Sequence, residues 1–204
     1  MYPQSNSARS VRDLSGVWDF RFNADEPWQP IAVPASYNDQ SPDPEFRRHY
    51  GMAYYRTTFT VPEGARRVLR FDAVTHNAVV RLNGQEIASH RGGFLPFEAD
   101  ITALAQPGET VTLDVEVDNR IGHSSLPVGN EGGTAFFGSD NAGIPAVEAG
   151  KARQQAQGIN LPNFDFFNYA GITRPVHLCT TPAAYIRDVT VAADMTGTLR
   201  YTVD

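Results

Sequence analysis

Two strand-like runs meet at a single turn signal in the stretch Val79-Val80-Arg81-Leu82-Asn83-Gly84-Gln85-Glu86-Ile87-Ala88. Short runs that contain β-branched residues and flank an Asn-Gly pair are typical of a two-residue β-hairpin, because both turn residues accept a positive φ. Asn83 and Gly84 therefore predict a tight hairpin, and the stretch favours antiparallel β structure.

The same alternation of apolar and polar residues continues on both sides of this hairpin. A period of two residues indicates a strand with one face turned towards a core. Short runs with this pattern occupy residues 16–22, 55–61, 68–72 and 111–117. Pro, Gly or Asn-Gly lies close to most of the runs, so the chain is predicted to be an all-β sandwich.

Composition narrows the class of protein. The 204 residues carry a formal net charge of −6, and 41% of them are hydrophobic. Such a length suits one full domain and part of a second. The acidic balance argues against a nucleic-acid partner, which requires a basic surface. A membrane span of about 20 apolar residues is also missing, so neither partner class is expected.

Two regions depart from the regular spacing of strands. Residues 119–164 are rich in Gly, Pro and Ser, and a connection of this length is usually functional or disordered. Arg174 to Thr181 predicts a closing strand, and a linker-like stretch follows it. Strand patterns at 185–192 and 197–203 then have no partners left. Because an isolated hairpin is marginal in water, we expect the chain to stop inside a second β domain.

The cysteine content and the N-terminal residues indicate where in the cell the protein is found. The single cysteine, Cys179, lies in an alternating stretch and is interpreted as a packed thiol. Met1 to Asp13 are polar and lack the basic-then-apolar order of a secretory signal. Together these features predict a cytoplasmic protein.

The sequence lacks the common metal-binding and nucleophile motifs. The five histidines have neither metal-ligand spacing nor a Cys pair beside them, so no metal is expected. Phosphate-binding glycine loops and the Gly-x-Ser-x-Gly elbow are also missing from the sequence, which excludes nucleotide and serine-hydrolase chemistry. A carboxylate pair remains possible in principle, since sequence alone cannot place two acids together.

Two aromatic clusters are candidate sites. Asp165 lies in Asn163-Phe164-Asp165-Phe166-Phe167-Asn168-Tyr169-Ala170-Gly171, where four aromatic residues surround an acid and two amides. This composition suits a carbohydrate pocket, but it also suits a core corner in which Asp165 caps a turn, and both interpretations stay open. In the second cluster, His90 to Phe97, we favour a structural bend in which Phe94 and Phe97 anchor the loop, over a ligand contact by His90 or Arg91.

Longer runs carry a resemblance to a known family. The run from Leu82 to Thr102 resembles the N-terminal sugar-binding domain of family 2 glycoside hydrolases. Within that family, Arg70-Phe71-Asp72-Ala73-Val74-Thr75-His76 and Asp165-Phe166-Phe167-Asn168-Tyr169-Ala170-Gly171-Ile172 resemble β-glucuronidases, as does Val33 to Gln40. The similarity extends from about Leu14 to the end, and its motifs occur in the family's order.

The resemblance implies a domain plan. We expect a polar N-terminal segment at 1–13, a galactose-binding-domain-like jelly-roll β-sandwich at 14–181, and the first strands of an immunoglobulin-like sandwich at 182–204. In such enzymes a TIM barrel follows and carries two catalytic glutamates that cleave β-glucuronides with retention. The chain is therefore expected to contain no catalytic residue, to be inactive alone, and to need no cofactor.

The resemblance also implies one site residue and several partners. The aspartate at the position of Asp165 contacts the sugar in β-glucuronidases, which predicts a substrate-binding role for Asp165. Glu131 follows an asparagine, as the family's acid/base does, but it lies in a Gly-rich stretch and is rejected. Expected partners are a β-glucuronide, the barrel of the parent enzyme and further copies in a homo-oligomer. Alternatives are a stand-alone carbohydrate-binding module and a purely structural or oligomerisation domain.

Overall fold

The computed structural model describes residues 3–122, 125–126, 160 and 166–204. Within these residues strands dominate, as the alternating pattern predicts. Their bounds are β1 Ser10–Asp13, β2 Gly16–Arg21, β3 Gln29–Val33, β4 Met52–Thr60, β5 Arg66–Phe71, β6 Val74–Thr75, β7 Asn77–Leu82, β8 Gln85–Arg91, β9 Phe97–Asp100, β10 Thr110–Asp118, β11 Gly171–Ile172, β12 Val176–Thr181, β13 Val189–Ala193 and β14 Leu199–Val203.

The strands form a sandwich of two antiparallel sheets. One sheet has the order β3-β2-β4-β10-β7-β8, and the other has the order β1-β12-β5-β9. A short third ladder pairs β11 with β6, and β13 pairs with β14. These antiparallel sheets confirm the predicted all-β sandwich.

The predicted hairpin is present at the expected turn. Strands β7 and β8 pair with Leu82 opposite Gln85, and Asn83 and Gly84 adopt φ of 49° and 82°. An Asn-Gly pair tolerates these positive values, so the sequence specifies this turn locally. Strand β1, in contrast, lies in the stretch predicted as a polar segment: Ser10 to Asp13 pair with β12 at the edge of the four-stranded sheet.

One buried cluster fills the space between the two sheets. Alternate residues of each strand point inwards, as a period of two requires. Phe20 of β2, Leu113 of β10 and Phe71 of β5 are each completely buried in this cluster. Trp18 is also buried and donates its indole N–H to the carbonyl of Leu14 at 2.9 Å.

Helical structure among the described residues is limited to two short elements. A 3-10 helix spans Tyr37–Asp39, and α1 spans Pro44–Arg48. Asp43 caps α1 by accepting a hydrogen bond from the Glu45 N–H, and Pro44 occupies the first helical position. In the described part of the chain, no helix is long and apolar enough to cross a membrane.

Candidate functional site

The sequence-predicted aromatic cluster continues into a described segment at one end of the sandwich. We call Phe166 to Ala170 the 166–170 segment. Asn168 and Ala170 are buried, whereas Tyr169 is 44% exposed. Asp165, the predicted sugar-contacting residue, lies outside the described residues, as do Phe164 and Glu131.

Asn119, at the end of β10, begins a set of buried amides that hold this segment. Its backbone N–H donates to the carbonyl of Gly51, and its side-chain Oδ1 accepts from the Gly51 N–H at 2.7 Å. Its Nδ2 donates to the carbonyl of His49 at 2.8 Å. These three hydrogen bonds hold the connection between α1 and β4 against the end of β10.

Asn168 and Asn160 extend this set towards the segment. The Asn168 Nδ2 donates to the carbonyl of Asn119 at 2.8 Å, and its Oδ1 lies 2.5 Å from the Nε2 of His76. Asn160 donates through its backbone N–H to the carbonyl of Arg48 at 2.7 Å, and through Nδ2 to the carbonyl of Asn168 at 2.9 Å. A buried amide is stable only when its polar atoms are paired, and these contacts supply partners.

Asn38, in the 3-10 helix, fixes the other end of the segment. Its Oδ1 accepts from the Ala170 N–H at 2.9 Å, and its Nδ2 donates to the carbonyl of Phe46 at 2.8 Å. The Tyr37 N–H also donates to the carbonyl of Ala170. Together, Asn38, Asn119, Asn160 and Asn168 form what we call the amide cluster, and all four are buried.

Aromatic contacts cover part of the segment from outside. The guanidinium carbon of Arg47 lies 4.0 Å from the ring centroid of Phe167 and 5.4 Å from that of Tyr169. Arg47 also forms an ion pair with Asp39. Phe167 is therefore packed beneath a cation, and Tyr169 keeps an accessible part of its surface.

These contacts bear on the two interpretations of the cluster. Phe167 packs beneath Arg47, and both amide atoms of Asn168 are paired within the protein. These contacts support the structural interpretation for those two residues. Tyr169 is partly exposed, and its hydroxyl hydrogen-bonds the Arg47 side chain, so its ring is the part that resembles the apolar surface of a carbohydrate pocket. Within the described residues, the segment thus combines a rigid inner side with one accessible aromatic side chain.

Burial favours the neutral form of two histidines next to the amide cluster. Burial lowers the pKa of His76 and outweighs the opposing effect of its hydrogen bond to Asn168. Burial likewise lowers the pKa of His49, whose ring stacks on Phe22 at 4.0 Å between centroids. Both side chains contribute to packing and hydrogen bonding in this end of the sandwich.

The second predicted cluster is structural for two of its residues. His90 stacks on Phe97 at 4.4 Å, and Phe97 stacks on Phe71. A Cβ on Gly93 would approach Thr75 within 2.8 Å, so the loop passes close to β6. Phe94 is 51% exposed, and its ring meets the buried His76 ring edge-on at 6.2 Å between centroids.

The predicted packed thiol is present in the structure. Cys179 is buried, and burial raises the pKa of its thiol, as expected for a packed side chain. The described residues include no group of three or more His, Cys, Asp or Glu side chains able to hold a metal ion. Most of the 119–164 stretch lies outside the described residues.

Comparison with known proteins defines the class. Residues 11–182 match the family described as glycosyl hydrolases family 2, sugar binding domain. Because this match covers most of the chain, the chain belongs to that family, as the sequence motifs predict.

Named relatives within the class are β-glucuronidases. The enzyme of Paenibacillus borealis is 36% identical over 215 residues, which covers 97% of this chain and 33% of that protein. A structure of Faecalibacterium prausnitzii β-glucuronidase is 55% identical with a TM-score of 0.82, and the match covers 100% of this chain and 37% of that one.

A third comparison involves a bound ligand. The structure of Bifidobacterium dentium β-glucuronidase complexed with coumarin-3-O-glucuronide is 52% identical with a TM-score of 0.76, covering 95% of this chain and 33% of that one. The chain thus spans about a third of the length of the relatives it matches.

Most of the amide cluster cannot be identified from the sequence. His76, Asn168 and Asn38 lie inside the motifs that carry the family resemblance, but no pattern in the sequence assigns them, Asn119 or Asn160 a role as polar anchors. These residues are distant in sequence and meet only through the sheet topology. The proximity of Asp165 to Asn168 in sequence was the one available signal for this end of the sandwich.

Proposed function

We propose that this chain is the N-terminal sugar-binding and scaffold domain of a retaining β-glucuronidase. The observation that carries the proposal is the match to β-glucuronidases over nearly the whole chain, at 36% and 55% identity in the two relatives described first. Hydrolysis of β-D-glucuronides belongs to the longer protein, whose barrel supplies the catalytic carboxylate pair. This chain then contributes no catalytic residue.

The proposed domain plan follows the sequence analysis. Residues 14–181 form the jelly-roll domain, preceded by the 1–13 segment, and residues 182–204 begin an immunoglobulin-like domain. We assign the parent enzyme to the cytoplasm and to a homo-oligomeric assembly. The single buried cysteine is compatible with a reducing compartment.

Asp165 is the proposed contact between this domain and the sugar. Its carboxylate would accept hydrogen bonds from sugar hydroxyls in a pocket completed by the barrel. In sequence it directly precedes the 166–170 segment, which the amide cluster holds in place. A fixed segment of this kind is what a sugar-orienting carboxylate requires, because small displacements of a positioning group lower the rate strongly.

The test measures hydrolysis of an aryl β-D-glucuronide by the longer protein. Asp165→Ala is expected to lower kcat/KM by roughly tenfold to a hundredfold, as loss of a charged hydrogen bond of about 1.5–3 kcal/mol predicts. Asp100→Asn is the matched control, because Asp100 pairs with Arg66 on an exposed face and should leave the rate unchanged. Unaltered kinetics in Asp165→Ala would refute the sugar contact.

A binding experiment separates this proposal from a stand-alone module. The purified chain is titrated calorimetrically with glucuronic acid and a glucuronide, in wild-type and Asp165→Ala forms. No binding at millimolar ligand is the expected result, because half of the pocket is assigned to the barrel. Binding that disappears in the variant would instead identify an independent sugar-binding module.

A further inference from the structure

The outer face of the six-stranded sheet carries a groove over strands β10, β7 and β8. Its volume is about 710 Å³, which lies within the usual range of ligand pockets. Both polar and apolar side chains line this cavity, which we call the outer groove. They include Asn77 and Val79 of β7, Ser89 and Arg91 of β8, and Glu116 and Asp118 of β10.

One row of side chains crosses the outer groove from β10 to β8. Asn77 is opposite Asp118 on one side and opposite Arg91 on the other. The Asn77 Oδ1 is buried but has no hydrogen-bond partner among the described residues. Arg91 is exposed, and it forms no ion pair within the described part of the chain. An unpaired acceptor beside an unpaired cation can bind a hydroxyl, which both donates and accepts.

A second row supplies an apolar surface next to these polar groups. Val79 is opposite Glu116 on β10 and opposite Ser89 on β8. It lies two residues from Asn77, and side chains two residues apart on a strand share a face of the sheet. Met52, opposite Asp118 on β4, adds a second apolar side chain to the lining. The outer groove therefore offers apolar contacts and hydrogen-bonding groups to the same ligand.

The two carboxylates of the outer groove are each paired with an arginine. Glu116 accepts a hydrogen bond from the Nε of Arg81 at 3.1 Å, and Asp118 accepts one from the guanidinium of Arg120 at 2.7 Å. A carboxylate has about four acceptor sites, so both can still accept hydrogen bonds from a ligand. Their charge repels a negatively charged ligand, whereas a hydroxyl can donate to them. An uncharged ligand rich in hydroxyls is therefore favoured.

We propose that the outer groove binds a neutral saccharide. A pyranose ring has apolar C–H faces that fit Val79 and Met52. The hydroxyls at its edge can donate to the Asn77 Oδ1 and accept from Arg91. The inference goes beyond the proposed function and does not depend on it, because the ligand is an uncharged glycan and every contact comes from the outer groove.

The test is isothermal titration of the purified 204-residue chain with saccharides of two kinds. Cellohexaose and maltohexaose are the neutral probes, and trigalacturonic acid is the acidic probe. We expect a neutral probe to bind with millimolar affinity, and the acidic probe to bind at least roughly tenfold more weakly because of like-charge repulsion. No binding of either neutral probe at millimolar concentration would overturn the proposal. Equal or tighter binding of the acidic probe would overturn the assignment to neutral saccharides.

Substitutions locate the binding on the sheet. Asn77→Ala removes the unpaired acceptor, and Arg91→Gln removes the exposed cation. Each should weaken the affinity for the neutral probe by roughly fivefold or more, as expected for the loss of a hydrogen bond. Asp19→Asn is the matched control, because Asp19 is opposite Arg56 on the same sheet but outside the outer groove, and it should leave the affinity unchanged.

Binding that survives both substitutions in the outer groove would place the ligand elsewhere and overturn the proposal. Circular dichroism checks the fold of every variant. If Asn77→Ala or Arg91→Gln does not fold, Ser89→Leu replaces it, because Ser89 is exposed on β8 and a larger apolar side chain there obstructs the outer groove. Unchanged affinity for the neutral probe in Ser89→Leu would likewise overturn the proposal.

Discussion

The sandwich and the β13–β14 hairpin are both antiparallel, but they bury their side chains very differently. In the sandwich, Phe20 and Leu113 are completely buried between two sheets. In the hairpin, all ten strand residues are exposed. The apolar side chains of the hairpin still lie on one face, because Val189 pairs with Val203 and Val191 with Tyr201.

This difference shows that strand pairing alone does not make a β structure stable. Alternation and a tight turn are sufficient to specify both structures, but only the sandwich gains free energy by removing apolar surface from water. A two-stranded hairpin without a covered face is marginal. The proposed immunoglobulin-like domain would provide that cover in the parent protein, so the two regions are expected to respond differently to the same substitutions.

The largest expected difference comes from aromatic truncation. Phe20 contacts Tyr55 at 4.9 Å and Phe22 at 4.8 Å between ring centroids, so Phe20→Ala should destabilise the sandwich by about 3–5 kcal/mol. Tyr201→Ala, in the hairpin, should change the free energy of unfolding of the sandwich by less than about 0.5 kcal/mol. Urea unfolding followed by tryptophan fluorescence measures both losses. Similar losses in the two variants would show that the hairpin supports the sandwich.

An intermediate difference is expected for two glycines. A Cβ on Gly171 would lie 2.5 Å from the Tyr55 hydroxyl oxygen and 3.2 Å from the Tyr37 Cδ1, and Gly171 adopts φ of +121°. Gly171→Ala should therefore cost about 1–3 kcal/mol by overpacking.

The matched variant is Gly197→Ala in the hairpin turn. Gly197 also has positive φ, +84°, but no atom lies within 4 Å of its added Cβ. Its strain should remain in the hairpin, leaving the urea midpoint of the sandwich unchanged. An equal shift in both glycine variants would contradict this separation.

The smallest effect is expected from removing residues 188–204. This deletion leaves the contact between Arg66 and the Tyr185 ring, at 4.2 Å, in place. The sandwich should melt within about 2 °C of the intact chain, since surface changes of about 0.5 kcal/mol produce shifts of that size. Calorimetry of both forms measures this shift, and a drop well beyond this range would show that the hairpin is part of the cooperative unit.

The sequence predicted the strands better than the connections. Asn83-Gly84 and the alternation at 111–117 act over neighbouring residues, so a pattern was enough to identify them. Helix α1 was missed although Asp43 and Pro44 are typical start signals, because five residues are too few to display a helical period. Strand β1 was missed for a related reason: its residues are mostly exposed at a sheet edge.

The candidate site was less predictable for a different physical reason. Asp165 was identified through the family resemblance, and composition alone left its role open. The contacts that hold the segment beside it depend on pairings such as Ala170 with Asn38, which are 132 residues apart. Such contacts are set by the sheet topology. The sequence around a single Asn or His does not indicate which distant residue it will pair with.

The amide cluster also has a consequence for how this domain can diversify. Asn168 hydrogen-bonds both Asn119 and Asn160, so residues that are far apart in the sequence meet at one point. The entropy of closing a loop grows only with the logarithm of its length, by about 0.6 kcal/mol for each doubling. Insertions or exchanges between Asn119 and Asn160 are therefore inexpensive. A change in the length of that stretch is therefore expected to leave the hydrogen bonds of Asn168 to Asn119 and Asn160 in place.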